Sequence, residues 1–249
     1  MKEHIMSRLQ GKTAVVTGGG TGIGFGAAKR FIDEGAFVYI FGRRQEQLDA
    51  AVAKLGSQAR AVGGSVTNLA DLDRLYATVK AERGGLDVLF ANAGTGLFAP
   101  LGEITVEHYD HIFDVNVKGL VFTVQKALPL MTKGASIILT GSSTGVMGTP
   151  QFSIYSATKA AIRNLARSWA QDLRGTGIRV NVLSPGPTKT ELALEIVGEE
   201  TFDALGNSTP IGRVGDPSET GAVAAFLASS DSSYMTGGEV FVDGGLAQV

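Results

Sequence analysis

Tyr155 and Lys159 stand four residues apart in Tyr155-Ser156-Ala157-Thr158-Lys159, inside a run from Tyr155 to Arg174 that reads as one long helix. Residues at this spacing share a helix face, so a phenol and an ammonium can converge on one spot. The chemistry open to such a pair is proton transfer. A tyrosine alone titrates near pH ~10, too high for acid/base work at neutrality, and a neighbouring cation stabilises the phenolate and brings that value down. Taken alone the spacing is common on helix surfaces, and the rest of the chain must give it meaning.

Around that helix, short β-branched runs alternate with longer amphipathic ones. Strands are expected at Thr13 to Thr17, Ala36 to Phe41, Arg60 to Val62, Leu86 to Ala91, Ser136 to Thr140, Ile178 to Ser184 and Glu239 to Asp243. Helices are expected at Ile23 to Glu34, Gln45 to Leu55, Leu69 to Glu82 with Asn68 as N-cap, Thr105 to Leu128 as one element stopped by Pro129, and Glu219 to Ala228. Met131 to Ala135 reads as a short turn, and an irregular stretch runs from the strand ending at Ser184 to about Pro217. Strands apolar on both sides, alternating with helices, imply an α/β fold whose parallel sheet is covered on both faces. No repeat or linker divides residues 1–249, so one domain is expected.

Composition narrows the function classes. At 249 residues, 44% of them hydrophobic and 18% charged, the chain can bury a sizeable core. A net charge of -2 gives no basic footprint for nucleic acid or anionic membrane. With no cysteine there is no disulfide, thiol nucleophile or thiolate metal site. No apolar run approaches the roughly 18 residues of a membrane helix, and Met1 to Gln10 lacks the apolar segment of a signal peptide. A cytoplasmic location is the expectation.

The glycines gather at the first strand-to-helix turn, in Thr17-Gly18-Gly19-Gly20-Thr21-Gly22-Ile23-Gly24. A backbone free to approach a ligand, followed by a helix N-terminus with free amides, is a cradle for a pyrophosphate. Gly18, Gly20, Thr21, Gly22, Ile23 and Gly24 are its candidate contacts, in the first βαβ unit where a dinucleotide site belongs. About 20 residues on, a carboxylate would take a ribose 2'-hydroxyl and select NAD. This chain instead has Phe41-Gly42-Arg43-Arg44. Two guanidiniums suit a 2'-phosphate, so Arg43 and Arg44 point to NADP(H) in preference to NAD(H).

Together with these glycines, Asn92-Ala93-Gly94, Asn116, Ser142, Tyr155-x-x-x-Lys159 and Pro185-Gly186 follow an order and spacing that resemble the short-chain dehydrogenase/reductase family over almost the whole chain. The resemblance implies a single doubly wound, Rossmann-type domain with a seven-stranded parallel sheet, a nicotinamide cofactor, a small-molecule carbonyl or alcohol substrate, and a homotetramer. It casts Tyr155 as proton donor to a ketone oxygen and Lys159 as the cation that lowers its pKa and holds the nicotinamide ribose. Ser142 would bond the reacting oxygen, its spacing to Tyr155 favouring it over Ser143. Asn116 would bend its helix around a water that links Lys159 to solvent. Asn92, Ala93 and Gly94 would lie beside the adenosine, with Ser65 and Val66 by the adenine, and Pro185, Gly186, Thr188 and Thr190 by the carboxamide. Where the family has an aspartate at the adenine, this chain reads Gly64-Ser65-Val66-Thr67.

Other clusters read as structural. His108 and His111 stand among Glu107, Asp110 and Asp114 on a solvated helix face, so no metal site is expected there. Trp169 with Leu165 and Leu173 reads as packing, and Asp243-Gly244-Gly245 as a turn. By resemblance residues 187–215 form the substrate lid. Leu192, Leu194, Ile196, Val197 and Phe202, with Phe98, Met147 and Phe152, make an apolar pocket for an uncharged ketone or aldehyde. Two other readings are a 3-oxoacyl-[acyl-carrier-protein] reductase, for which the Met131 to Ala135 turn offers little basic docking surface, and a non-catalytic NADP-binding regulatory protein.

Overall fold

The both-sided apolar strands find cover on each face in the computed structural model of the protein, which describes residues 7–249 except for the side chain of Ile196. Residues 1–6, on which the reading of the N-terminus partly rested, lie outside it, as does Ile196 as a pocket side chain. Strands β1 (Thr13–Thr17), β2 (Phe37–Gly42), β3 (Ala59–Gly63), β4 (Leu86–Ala91), β5 (Met131–Thr140), β6 (Arg179–Pro185) and β7 (Glu239–Val242) form one parallel sheet in the order β3-β2-β1-β4-β5-β6-β7. Val15 of β1 pairs with Tyr39 on one side and Leu89 on the other, so the winding reverses at β1. A crevice opens beyond the strand ends at such a point.

Alternation along the strands divides the core in two. Ala14 and Val16 pack with Phe31 of α1 (Gly22–Asp33), Leu48 of α2 (Gln45–Leu55) and Leu227 of α9 (Pro217–Ala228). Val15 joins the opposite layer with Leu75 of α3 (Leu69–Arg83), Val124 of α5 (Leu120–Ala127) and Ile162 of α6 (Ser153–Asp172). Trp169 packs at the edge of that second layer, between Leu165 and Leu173 in sequence, as a packing residue should. Among the described residues no helix is long and apolar enough to cross a membrane.

Three expectations are corrected. The single helix of Thr105 to Leu128 is α4 (Val106–Phe113), a wider π-helical turn at Asp114–Gly119, then α5 and a 3-10 turn at Leu128–Leu130. The wide turn brings Asn116 and Gly119 to contacts outside the helix: a Cβ on Gly119 would stand 2.8 Å from Val66 Cγ2. The supposed turn at Met131 to Ala135 belongs to β5. Leu86 pairs with Met131 and Val88 with Ser136, so the residues between bulge out of register, with Gly134 at φ +93°. The irregular stretch before Pro217 contains α7 (Glu191–Val197) and α8 (Glu199–Asn207), divided by Gly198 at φ +75° and started by the Thr190 hydroxyl, which accepts from Ala193 N–H at 3.1 Å.

Candidate active site

At the carboxyl ends of the strands lies a cleft of about 1080 Å³. Of the described residues singled out above as catalytic, cofactor-binding or pocket-forming, all but Asn116 and Leu194 line it.

The β1–α1 turn is shaped by close packing. A Cβ on Gly24 would stand 2.2 Å from the Gly18 carbonyl oxygen and 2.7 Å from Asn92 Nδ2, so only glycine lets α1 start so near β1. Gly18 and Gly22 take left-handed φ of +66° and +53°. Thr21 precedes α1 with an extended backbone and no side-chain cap on the first-turn amides, and Gly22, Ile23 and Gly24 of that turn line the cleft. Thr17 Oγ1 accepts from the amides of Asn92 and Ala93, both at 3.0 Å, and Asn92 Nδ2 donates to Thr17 O at 3.0 Å. Those bonds tie the end of β4 to the glycine turn.

Beyond β2 the cleft is lined by Phe41, Gly42, Arg43, Arg44, Gln47 and Leu48, with no acid among them. Among the described residues neither Arg43 nor Arg44 makes an ion pair, and Arg44 stands at the start of α2. Ser65 is held where the sequence lacks the family's aspartate: its amide donates to Asp71 Oδ2 at 2.9 Å, and its hydroxyl bonds that of Thr67 at 2.8 Å. The partner of Ser65 was not legible, because Asp71 comes from the first turn of α3.

The other end of the cleft is built on α6 and the end of β5. Lys159 is only 4% exposed, and its Nζ donates to the Thr140 carbonyl at 2.8 Å, 5.3 Å from the centre of the Tyr155 ring. Burial brings the lysine down to about 8, since low polarity disfavours its charged form. The same physics pushes the half-buried Tyr155 phenol up to about 12, opposed by the neighbouring Ser142 hydroxyl. The Lys159 ammonium is turned to the Thr140 carbonyl, and the Ser142 hydroxyl is the neighbour that acts downward on the phenol.

Two supporting contacts escaped the sequence reading. Ser142 Oγ accepts from Thr144 twice, from its amide at 3.2 Å and its hydroxyl at 3.0 Å. Both lone pairs are then used, and the serine's own hydrogen is left to donate. Asn116, at 1% exposure, uses its amide to clamp the Thr95 backbone, accepting from its N–H at 2.8 Å and donating to its carbonyl at 2.9 Å, and donates to Thr158 Oγ1 at 3.1 Å. Thr158 in turn donates to Tyr155 O at 2.6 Å. The side chain expected beside a water therefore joins the segment after β4 to the tyrosine's turn of α6. Asp243 of the last turn is buried and accepts from the amides of Gly245 and Ala247, both at 2.9 Å.

On this end Phe98, Met147, Phe152, Leu192 and the buried Phe202 give an apolar wall, joined by Glu191 and Glu195 of α7 and by His111 and Asp114. The arrangement can hold an extended dinucleotide along the glycine turn and present two hydroxyls to a group at its far end.

A family profile described as Enoyl-(Acyl carrier protein) reductase matches residues 18–247. The chain is 65% identical to Oxidoreductase asL5 of Sarocladium schorii, over 98% of this chain and 99% of that one. It is 34% identical to the NADP-dependent (R)-specific alcohol dehydrogenase of Lentilactobacillus kefiri, covering 96% of this chain and 97% of that one. Among solved structures, the 3-ketoacyl-(acyl-carrier-protein) reductase of Brucella melitensis complexed with NADH superposes with a TM-score of 0.90 at 31% identity, over 96% of this chain and 99% of that one.

Proposed function

Since the chain belongs to the short-chain dehydrogenase/reductase family and is a nicotinamide-dependent oxidoreductase, we propose that it reduces a neutral ketone or aldehyde to the alcohol, using NADP(H) in preference to NAD(H). The observation that carries this reading is that the Tyr155 phenol, its neighbour Ser142 and the buried Lys159 line one end of a cleft whose other end is lined by the glycine turn.

The residues present fit the cofactor. The Gly18 to Gly24 turn, which a Cβ would fill, and the free amides of α1 would take the pyrophosphate. Arg43 and Arg44 would take the 2'-phosphate, Ser65, Val66, Asn92, Ala93 and Gly94 the adenosine, and Pro185, Gly186, Thr188 and Thr190 the nicotinamide end. When bound, the cofactor supplies a hydride to the carbonyl carbon. As that carbon gains an electron pair, its oxygen becomes negative, and two preplaced hydroxyls meet it. Tyr155 gives its proton to that oxygen and completes the alcohol; Ser142 and the Lys159 ammonium hold the phenolate until a proton returns from solvent. Asn116 acts by keeping the tyrosine's helix turn in register with Thr95.

The second reading, reduction of 3-oxoacyl groups on a carrier protein, has relatives so named in its favour. Charge argues against it. The lid helices carry Glu191, Glu195, Glu199, Glu200 and Asp203, with no Lys or Arg between Lys189 and Arg213, a surface that repels an acidic carrier. Assembly as a homotetramer, drawn from the family resemblance, belongs to the same proposal; sedimentation equilibrium reads it directly. The test is NADPH and NADH oxidation against neutral ketones, aldehydes and one 3-oxoacyl thioester. Turnover of neutral carbonyls with NADPH favoured supports the proposal. Activity confined to the thioester moves the enzyme to the carrier reading, and bound NADPH with no turnover anywhere revives the regulatory one.

A further inference from the structure

Three aromatic rings form a column that ends at the reacting phenol. Tyr155 and Phe152 stack with centroids 4.3 Å apart and planes 24° apart, and Phe152 and Phe98 with 4.4 Å and 26°. All three line the cleft, and Phe98, the outermost ring, is 42% exposed.

The column is built rather than accidental. Gln151, beside Phe152, is the non-glycine residue with positive φ among those described, at +59°, a conformation that side chains with a Cβ adopt at a cost. Its carbonyl accepts from Ala99 N–H at 2.8 Å, locking the loop that carries Phe98 to the loop that carries Phe152. Gly96 makes room: a Cβ there would stand 2.9 Å from Phe152 Cζ and 3.1 Å from Tyr155 Cδ2. Strained backbone clusters at ligand sites, and Gln151 directly precedes a ring that lines the cleft. Phe98, at the open end, is left half-covered by the protein itself.

We propose that this column is the subsite for a planar aromatic ring carried next to the reacting carbonyl, making aryl ketones the preferred substrate class. The proposal rests on the carbonyl-reductase reading of Tyr155. Aromatic rings attract one another edge-to-face and offset-stacked beyond what area burial gives, and a rigid column offers both contacts without reordering. A saturated ring of the same size gains burial alone.

The experiment uses matched bicyclic ketones, 1-tetralone and 1-decalone, with NADPH. In the wild type, kcat/KM is expected to favour the aryl ketone by roughly tenfold, the worth of one or two ring contacts. Phe98→Leu should bring the ratio close to one. Equal efficiency in the wild type overturns the proposal, as does a ratio that survives Phe98→Leu in a variant that still binds NADPH. Calorimetry of 1-naphthol against decahydro-1-naphthol on the NADP-loaded protein gives a readout that needs no turnover. Tighter binding of naphthol with neither ketone reduced would leave the subsite standing and the reductase reading refuted; equal binding would refute the subsite.

Discussion

Replacing Lys159 by methionine should remove a pH dependence of stability that the structure makes quantitative. Among the described residues the buried ammonium has one carbonyl partner, Thr140, and no carboxylate, and burial lowers its pKa to about 8 from the ordinary 10.5. The unfolded chain therefore holds more protons than the folded one between those values, and stability of the cofactor-free protein rises with pH across that window. The full gap corresponds to roughly 3 kcal/mol, of which about 2 kcal/mol develops between pH ~7 and ~9.5. Tyr155 acts with the opposite sign but higher up: its raised pKa means that stability is lost as pH climbs from about 10 to about 12, outside the range measured. Urea unfolding of wild type and Lys159→Met without cofactor isolates the lysine, since other titrating groups are shared. The stability difference between them should change by about 2 kcal/mol from pH ~7 to ~9.5, or ~4 to 8 °C in Tm, the wild type gaining at the higher pH. A difference that stays constant with pH would show the lysine unperturbed, and the reasoning from burial would fail.

Further outcomes are open to measurement. Arg43→Ala with Arg44→Ala should raise KM for NADPH roughly 10- to 100-fold with little change for NADH, from the loss of charge-assisted bonds to a 2'-phosphate; equal effects on both would contradict the assignment. Thr144→Val removes the hydroxyl that donates to Ser142 and should lower kcat about fivefold, moving the pH profile upward, with recovery in Thr144→Ser; a neutral Thr144→Val would show that Ser142 needs no orienting. Buried Arg179 donates to the carbonyls of Leu227, Ser229 and Ser232, closing the C-terminus of α9. Arg179→Met should cost roughly 3 kcal/mol, seen as a fall in Tm of about 6 to 12 °C.

The parallel sheet was legible because its strands are apolar on both sides, and the paired Tyr155 and Lys159 because a helix brings every fourth residue to one face. What escaped depended on distant partners. The wide turn at Asp114–Gly119 follows no local breaker strong enough to announce it; Asn116 is engaged there by Thr95 and Thr158, from two other segments. The bulge in β5 needed knowledge of its register with β4. The helices α7 and α8 had a readable start in Thr190 and a readable break in Gly198, but each is too short for periodicity to stand out. Lys159's partner is a backbone carbonyl, which carries no residue signature at all.

The central claim is that Tyr155 delivers the proton that completes the alcohol. Tyr155→Phe keeps the ring and its stacking on Phe152 and removes only the hydroxyl. Turnover of a ketone reduced by the wild type, measured with NADPH at saturation, should fall by roughly 100- to 10,000-fold, the usual worth of a positioned general acid, while NADPH affinity changes far less. Retention of turnover within about tenfold would place the proton elsewhere and contradict the account.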